Sequence, residues 1–205
     1  MVNKELGRDW RKGARTYTLI LDNCITNVYT KNMVVFDAST LILLARIEIL
    51  ELFVSNFQGK VLIPHSVEIE ALKKDKEGTP LIEELIKRKN IQVIYVKDKN
   101  QVEKLMDDFN IGIGEAEAIL LALRKNIRVV ATDDRNAIRA CKMLHLEFIT
   151  AIAFLIRAFE KRFLERDEAL IKVQKLSNIS RYSKTIIEDA IKQLKGGVQR
   201  WPQKL

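Results

Sequence analysis

The feature that most limits the fold of this chain is a repeated alternation between short strand-like runs and longer helical segments. Five runs rich in β-branched and other apolar residues are each followed by a stretch whose apolar residues recur at helical spacing. Strands that are separated by helices pair in parallel, because the chain must cross back before it starts the next strand. The sequence therefore predicts an α/β fold built on a parallel, doubly wound sheet.

The bounds of these elements follow from periodicity and from the placement of glycine, proline and capping residues. Predicted strands cover residues 33–36, 60–63, 91–96, 127–131 and 147–149. Predicted helices cover residues 40–54, 65–74, 80–89, 101–109, 115–125, 135–144, 151–159, 166–176 and 185–194. Ser39 is predicted to cap the first helix, and Pro64 is predicted to end the second strand.

The chain divides into three segments. Residues 1–32 give no clear pattern and are expected to form a peripheral extension, residues 33–150 to form the α/β domain, and residues 151–205 to form a basic helical extension. No apolar run approaches the roughly 18 residues that a membrane span needs, and the charged N-terminus lacks the apolar region of a secretion signal. Cys24 and Cys141 have no CxxC or histidine partner and are expected to be reduced. We therefore expect a cytoplasmic protein without a membrane segment.

The net charge of +8 is distributed unevenly along the chain. Residues 1–32 hold six Lys/Arg and three Asp/Glu, residues 151–205 hold twelve and six, and the segment between them holds 17 basic and 18 acidic residues. Basic flanks attract a polyanion. A neutral-to-acidic centre repels phosphate unless metal ions invert the local charge, so the pattern favours a polyanionic partner together with a bound cation.

Acidic residues lie where the predicted strands end. Asp37 follows the first strand, and Asp133 and Asp134 follow the fourth. In a doubly wound sheet the carboxyl ends of such strands adjoin at the topological switch, where ligands bind. Glu115 opens the helix before strand four, and Glu70 lies on the helix that follows strand two. Carboxylates gathered at one edge repel one another unless a cation lies between them, so this pattern predicts a divalent metal site.

Each acid also has an ordinary structural explanation when it is taken alone. Asp37 fits turn chemistry, Glu70 fits a solvated helix face, and Glu115 fits the favourable interaction of an acid with a helix N-terminus. One of the two aspartates after strand four can simply cap the next helix. Glu117 has apolar neighbours at the same offsets as Glu115, so spacing does not choose between them. The metal prediction rests on the set as a whole.

Four segments together resemble the PIN-domain nucleases, a family that includes the VapC-like toxins of archaea and bacteria. Their order and their placement at strand ends carry the resemblance: Val34–Ser39, Ile63–Glu70, Gly112–Ile119 and Ala131–Arg135. The similarity covers roughly residues 33–150, and the later helices resemble the tail of a prokaryotic subgroup. The resemblance implies a three-layer α/β/α sandwich with a mostly parallel sheet, whose acidic residues hold Mg²⁺ or Mn²⁺ and cleave single-stranded RNA.

The resemblance also implies roles for the acidic residues, position by position. The implied catalytic set is Asp37, Glu70, Glu115, Asp133 and Asp134. Asp37, Glu115 and Asp134 would be the metal ligands, with Asp133 kept as an alternative to Asp134. Glu70 would lie in the outer shell. A water bound to the metal would attack the phosphorus in line.

Two hydroxyls and the basic tail complete the predicted site. Ser39 or Thr132 would fix a carboxylate or contact a phosphate, although either is equally well a cap or turn hydroxyl. Basic residues of the C-terminal helices are expected to guide RNA towards the carboxylates: Arg157, Lys161, Arg162 and Arg166. The apolar side of these helices suits either a core or a homodimer surface. A toxin would in addition have an antitoxin protein as a partner.

Two other classes of protein compete with the ribonuclease. One is a PIN-fold module without turnover that binds RNA or a protein. The other is an aspartate-dependent phosphatase, in which Asp37 would be the nucleophile, but Asp37-Ala38-Ser39 lacks the second aspartate of a DxD start. A nucleotide-binding Rossmann protein is disfavoured, because no GxGxxG or GxxxxGK[ST] follows a predicted strand.

Overall fold

The structure is a computed structural model that describes residues 33–74 and 78–196. The predicted N-terminal extension, residues 1–32, lies outside the described residues, as do residues 197–205. In the described part of the chain, no helix is both long enough and apolar enough to cross a membrane.

Five strands and ten helices form within these residues. The strands are β1 (Met33–Phe36), β2 (Lys60–Pro64), β3 (Ile91–Ile94), β4 (Val129–Ala131) and β5 (Glu147–Ile149). The helices are α1 (Ala38–Arg46), α2 (Leu50–Asn56), α3 (His65–Lys74), α4 (Thr79–Lys87), α5 (Lys99–Phe109), α6 (Ile113–Lys125), α7 (Arg135–Met143), α8 (Ala151–Glu160), α9 (Arg166–Ile179) and α10 (Lys184–Lys195). Every predicted strand is present, with β3 and β4 each two residues shorter than predicted.

The five strands form one sheet in the order β3-β2-β1-β4-β5, and all four pairings are parallel. The predicted α/β fold with a parallel, doubly wound sheet is confirmed. The direction of winding reverses at β1, because β2 and β3 extend the sheet on one side and β4 and β5 on the other. The carboxyl ends of β1 and β4 therefore form the topological switch, the usual ligand crevice of such sheets.

The first predicted helix, 40–54, is wrong as a single element, because it is divided into α1 and α2. Glu48 has a left-handed backbone with φ of 59°. The N–H groups of Glu48 and Ile49 donate to the carbonyls of Ala45 and Leu44, which is a Schellman ending. The turn exposes Glu48 while it buries Ile47 and Ile49 on either side. The division of the helix at Glu48 thus places both isoleucines in the core.

The centre of the sheet is buried on both faces. Val34, Val35 and Phe36 of β1 are all at most 2% exposed, as expected for a strand that helices cover on both sides. Helix α6 packs on one face, where Val35 and Ile119 belong to the same cluster of buried side chains. Small buried alanines let this helix approach the sheet closely, and its first turn carries Glu115.

The described residues separate into two compact units, the α/β unit up to Ala151 and a helical unit from Ile152 onwards. The helical unit has its own buried apolar residues, including Leu155, Val173 and Leu194. Within it, the backbone N–H of Ile152 donates to the hydroxyl of Tyr182 at 3.2 Å.

We predict that Ile119→Ala will lower the free energy of unfolding by about 2–5 kcal/mol, because it leaves a cavity where α6 packs in the core. Leu123→Ala, on the same helix at a position that is 40% exposed, is the matched control and should lose less than about 1 kcal/mol. Urea denaturation followed by circular dichroism measures both. Equal losses in the two variants would contradict the packing described for α6.

Candidate active site

Asp37 begins the site, since it directly follows β1 at the topological switch. Its backbone N–H donates to the carbonyl of Ala131 at 3.0 Å, which extends the β1–β4 ladder by one bond. Its side chain caps α1, because Oδ1 accepts the backbone N–H of Thr40 at 2.8 Å. The prediction that Ser39 caps this helix is wrong: a carboxylate two residues earlier takes that place, and Ser39 is in the first turn.

The carboxylate of Asp37 is 0% exposed and is held by neutral donors. Oδ2 accepts the hydroxyl of Ser39 at 2.9 Å and the hydroxyl of Thr132 at 2.6 Å. Burial raises the pKa of Asp37 from its ordinary 3.8 to about 7, although the three hydrogen bonds act in the opposite direction. The nearby negative charge of Asp133 raises it further. Near neutral pH the protein therefore contains a buried carboxyl group that ionises only at considerable cost.

Thr40 connects Asp37 with Asp133. While its backbone N–H is bonded to Asp37, its hydroxyl donates to Oδ2 of Asp133 at 2.8 Å. The same oxygen of Asp133 accepts the backbone N–H of Ala151 at 3.0 Å. Sequence reasoning missed Thr40, because its hydroxyl meets a residue 93 positions away and no local signal predicts that contact.

Asp134 has a different environment from its neighbour Asp133. It caps α7, since its Oδ1 accepts the backbone N–H groups of Asn136 and Ala137, both at 2.8 Å. Its own N–H donates to the hydroxyl oxygen of Thr132 at 3.3 Å. Thr132 therefore donates to Asp37 and accepts from Asp134, so that it links the ends of β1 and β4.

Glu115 and Glu70 lie together near the start of α6. Burial raises the pKa of Glu115, and the negative charges of Asp134 and Glu70 contribute to the shift. The carboxylate of Glu115 lies over Gly112, where an added Cβ would come within 2.6 Å of Oε2. An added Cβ on Gly114 would lie 3.6 Å from Oε2 of Glu70. Gly112 thus leaves the space that the carboxylate of Glu115 occupies, whereas a Cβ at Gly114 would make only an ordinary van der Waals contact with Glu70.

The predicted acids come together in two adjoining groups, Asp37 with Asp133 and Glu115 with Asp134 and Glu70. Even so, the residues that the structure describes contain no group of three or more His, Cys, Asp or Glu side chains arranged to hold a metal ion. The donor set nevertheless fits a hard divalent cation, because its donors are carboxylate and hydroxyl oxygens and one carboxylate is fully buried.

Glu117, which spacing could not separate from Glu115, has a clear partner. Its Oε2 accepts the hydroxyl of Ser66 at 2.5 Å and the backbone N–H of Ser66 at 3.4 Å. Since Ser66 lies in the first turn of α3, Glu117 satisfies a donor at that helix end. The two residues are 51 positions apart, so no local signal predicts the contact.

The basic residues predicted to guide RNA belong to the helical unit and differ in their surroundings. The side chain of Arg157 is only 12% exposed and pairs with Glu160 at 2.9 Å. Burial and the charge of Arg157 lower the pKa of Lys161. Arg162, with a left-handed φ of 61°, and Arg166 are both exposed. The two exposed arginines are therefore the better placed of the four to meet a phosphate.

Comparison with known families decides the classification. A family model described as PIN domain matches residues 33–196, well over half of the chain. The chain belongs to the PIN-domain family. PIN domains are generally nucleases and typically use divalent metals. No curated protein and no solved structure matches the chain.

The family match covers this PIN domain from the first residue of β1 to just beyond the last residue of α10. It therefore includes the helical unit as well as the sheet that carries the acids. The match is to the domain family, and the VapC-like toxins are one part of that family.

We predict that Asp37→Asn will stabilise the EDTA-treated PIN domain above neutral pH. The folded-state pKa of Asp37, about 7, lies above its ordinary 3.8, so this carboxyl group lowers the stability of the wild type as pH rises from about 4 to 7. The wild type loses at most about 4 kcal/mol of unfolding free energy in this way. The variant loses none of it, because asparagine does not ionise.

Thermal unfolding at pH 4.5 and pH 8 measures the effect. The advantage of the variant over the wild type should grow between the two pH values, whereas Asp107→Asn, at an exposed position, should follow the wild type. An advantage of equal size at both pH values would show that Asp37 titrates in the folded protein as it does in the unfolded chain.

Proposed function

We propose that this PIN domain is a divalent-metal-dependent endoribonuclease that cleaves single-stranded RNA. The observation that carries the proposal is the position of Asp37, a fully buried carboxylate at the topological switch with Asp133 beside it. The donors to this carboxylate are the hydroxyls of Ser39 and Thr132 and the backbone N–H of Thr40, all of them neutral. The negative charge of Asp133 opposes the ionisation of Asp37, and a cation removes that opposition.

Asp37, Glu115 and Asp134 would hold the ion, which is Mg²⁺ or Mn²⁺. When bound, it would supply an activated water for in-line attack on phosphorus and would stabilise the leaving 3′ oxygen. Asp134 uses Oδ1 to cap α7, and among the described residues its Oδ2 accepts no hydrogen bond, so this oxygen is the one available for a cation. Asp133 would add negative charge close to Asp37.

The hydroxyl groups orient the carboxylates in this proposal. Ser39 and Thr132 fix Oδ2 of Asp37, and Thr132 also accepts the N–H of Asp134. Hydrogen bonds that orient ligands in this way commonly change metal affinity by about 10–100-fold when they are removed. Glu70, beside Gly114 and near Glu115, would lie in the outer shell and hold water rather than the ion.

A second candidate is a PIN-domain module that binds RNA or a protein without cleaving it. The observation that favours it is that no three acids of the described residues are arranged to hold a metal ion. This module would bind single-stranded RNA equally well with and without EDTA and would yield no products. The family match favours a nuclease over the phosphatase alternative.

A toxin role in the cytoplasm would extend the ribonuclease proposal. It requires an antitoxin protein that blocks the carboxylates, for example through an arginine that pairs with them. A homodimer is a further proposal of the same kind. Cleavage of RNA by the isolated protein depends on neither partner.

We predict that Asp37→Asn will reduce cleavage of a labelled single-stranded RNA by about 100-fold or more, because a neutral amide is a poor ligand for a hard cation. A gel assay with Mg²⁺ or Mn²⁺, repeated with EDTA, measures the products. Asp107→Asn, an exposed change of the same chemistry, should cleave at the wild-type rate. Unchanged cleavage by Asp37→Asn, or cleavage by the wild type in EDTA, would refute the metal mechanism.

We predict that Thr132→Val will weaken Mn²⁺ binding by about 10–100-fold, because valine has the same shape but cannot orient Asp37. Thr132→Ser keeps the hydroxyl and should bind Mn²⁺ within about threefold of the wild type. The midpoint of thermal unfolding, followed as Mn²⁺ is added, reports the affinity because a ligand stabilises the folded state that binds it. Equal Mn²⁺ affinity of the valine and serine variants would show that the hydroxyl of Thr132 does not orient a metal ligand.

A further inference from the structure

An aromatic pair lies at the same edge of the sheet as the carboxylates. His65 and Tyr95 each directly follow the last paired residues of β2 and β3, because Pro64 and Ile94 are partners in the register. The two side chains are therefore neighbours at the carboxyl edge. Their ring centroids are 4.4 Å apart, and their planes are inclined by 32°.

Tyr95 is 68% exposed even though its ring contacts His65. Single exposed apolar residues are ordinary on protein surfaces. This residue differs because a second ring supports it on one side while most of its surface faces solvent. It also lies at the carboxyl ends of the strands, the side of a parallel sheet on which ligands bind.

The imidazole of His65 is itself held in place. Its Nδ1 lies 2.9 Å from Oε2 of Glu68, one turn along α3. This contact fixes the orientation of the imidazole ring against which Tyr95 lies. A platform that is ordered before its ligand arrives avoids part of the entropy that binding would otherwise lose.

The position of the pair relative to Asp37 suits an extended ligand. Asp37 follows β1, His65 follows β2 and Tyr95 follows β3, in the spatial order of the sheet. Neighbouring strands are about 4.8 Å apart, so the backbone at Tyr95 is roughly 10 Å from that at Asp37. Ile69, one turn beyond His65 on α3 and 40% exposed, extends the apolar surface.

We propose that Tyr95, supported by His65, stacks a nucleobase of the single-stranded RNA whose cleavage we propose for the carboxylates, on which function this subsite rests. Aromatic side chains stack the unpaired bases of single strands, and such stacking tolerates any base. Tyr95 would therefore position the strand without selecting a sequence. A duplex, in which the bases are already stacked and paired, offers no base to it.

Fluorescence anisotropy in EDTA tests the subsite without turnover. The probes are a labelled RNA oligomer and the same sugar-phosphate chain lacking all its bases. Tyr95→Ala should bind the intact oligomer about 5- to 100-fold more weakly than the wild type, and should bind the baseless chain with unchanged affinity. Tyr95→Phe keeps the ring and should restore binding to within about twofold of the wild type.

Met143→Ala is the matched control. Met143 is 61% exposed and ends α7, a helix that begins at the carboxyl edge of the sheet and runs away from it. This variant should bind both oligomers as the wild type does. Circular dichroism of each variant checks that the fold is retained.

The outcomes separate the subsite from the proposed cleavage. The stacking proposal is overturned if Tyr95→Ala binds the intact oligomer as tightly as the wild type, if it loses affinity equally for both oligomers, or if the wild type does not prefer the intact one. Base-dependent binding through Tyr95 together with an absence of metal-dependent products would instead support stacking and overturn the ribonuclease.

Discussion

The parallel pairing of β1 with β4 is the constraint on which the site depends. Its register pairs Phe36 with Ala131, so the next residues, Asp37 and Thr132, meet at the end of the two strands. The 2.6 Å hydrogen bond from the hydroxyl of Thr132 to Asp37 then joins the ends of the two strands, and the N–H of Asp134 donates to the same hydroxyl. A different strand order would separate these residues by at least one strand spacing of about 4.8 Å.

The site works against the stability of the fold that holds it. Asp37 is fully buried beside another carboxylate, and its raised pKa expresses the free energy that ionisation requires. Functional sites commonly contain such local conflicts, which the rest of the structure must offset. Here the buried apolar residues of β1, which leads to Asp37, and of α6, which carries Glu115, contribute to that offset. The proposed cation would lower the free energy needed to ionise Asp37, because its positive charge would offset the negative charge of the two carboxylates.

Alternation of strands and helices was sufficient to predict all five strands and their parallel pairing, and Asp37 was predicted as a site residue because it directly follows a buried run. The break at Glu48 escaped prediction, because residues 40–54 keep helical spacing while a left-handed turn divides them. Contacts set by strand order also escaped it. Glu117 meets Ser66 across 51 residues, and Tyr95 meets His65 only because β2 and β3 are neighbours.

In this proposal the carboxylates at the switch, of which Asp37 is fully buried, bind a divalent cation. Electron paramagnetic resonance measures this directly, because the signal of free Mn²⁺ falls as the ion binds. We expect the wild type to bind Mn²⁺ at a site from which excess Mg²⁺ displaces it, and Asp37→Asn to lose most of that binding. Equal Mn²⁺ binding by the wild type and by Asp37→Asn would show that Asp37 does not hold the ion.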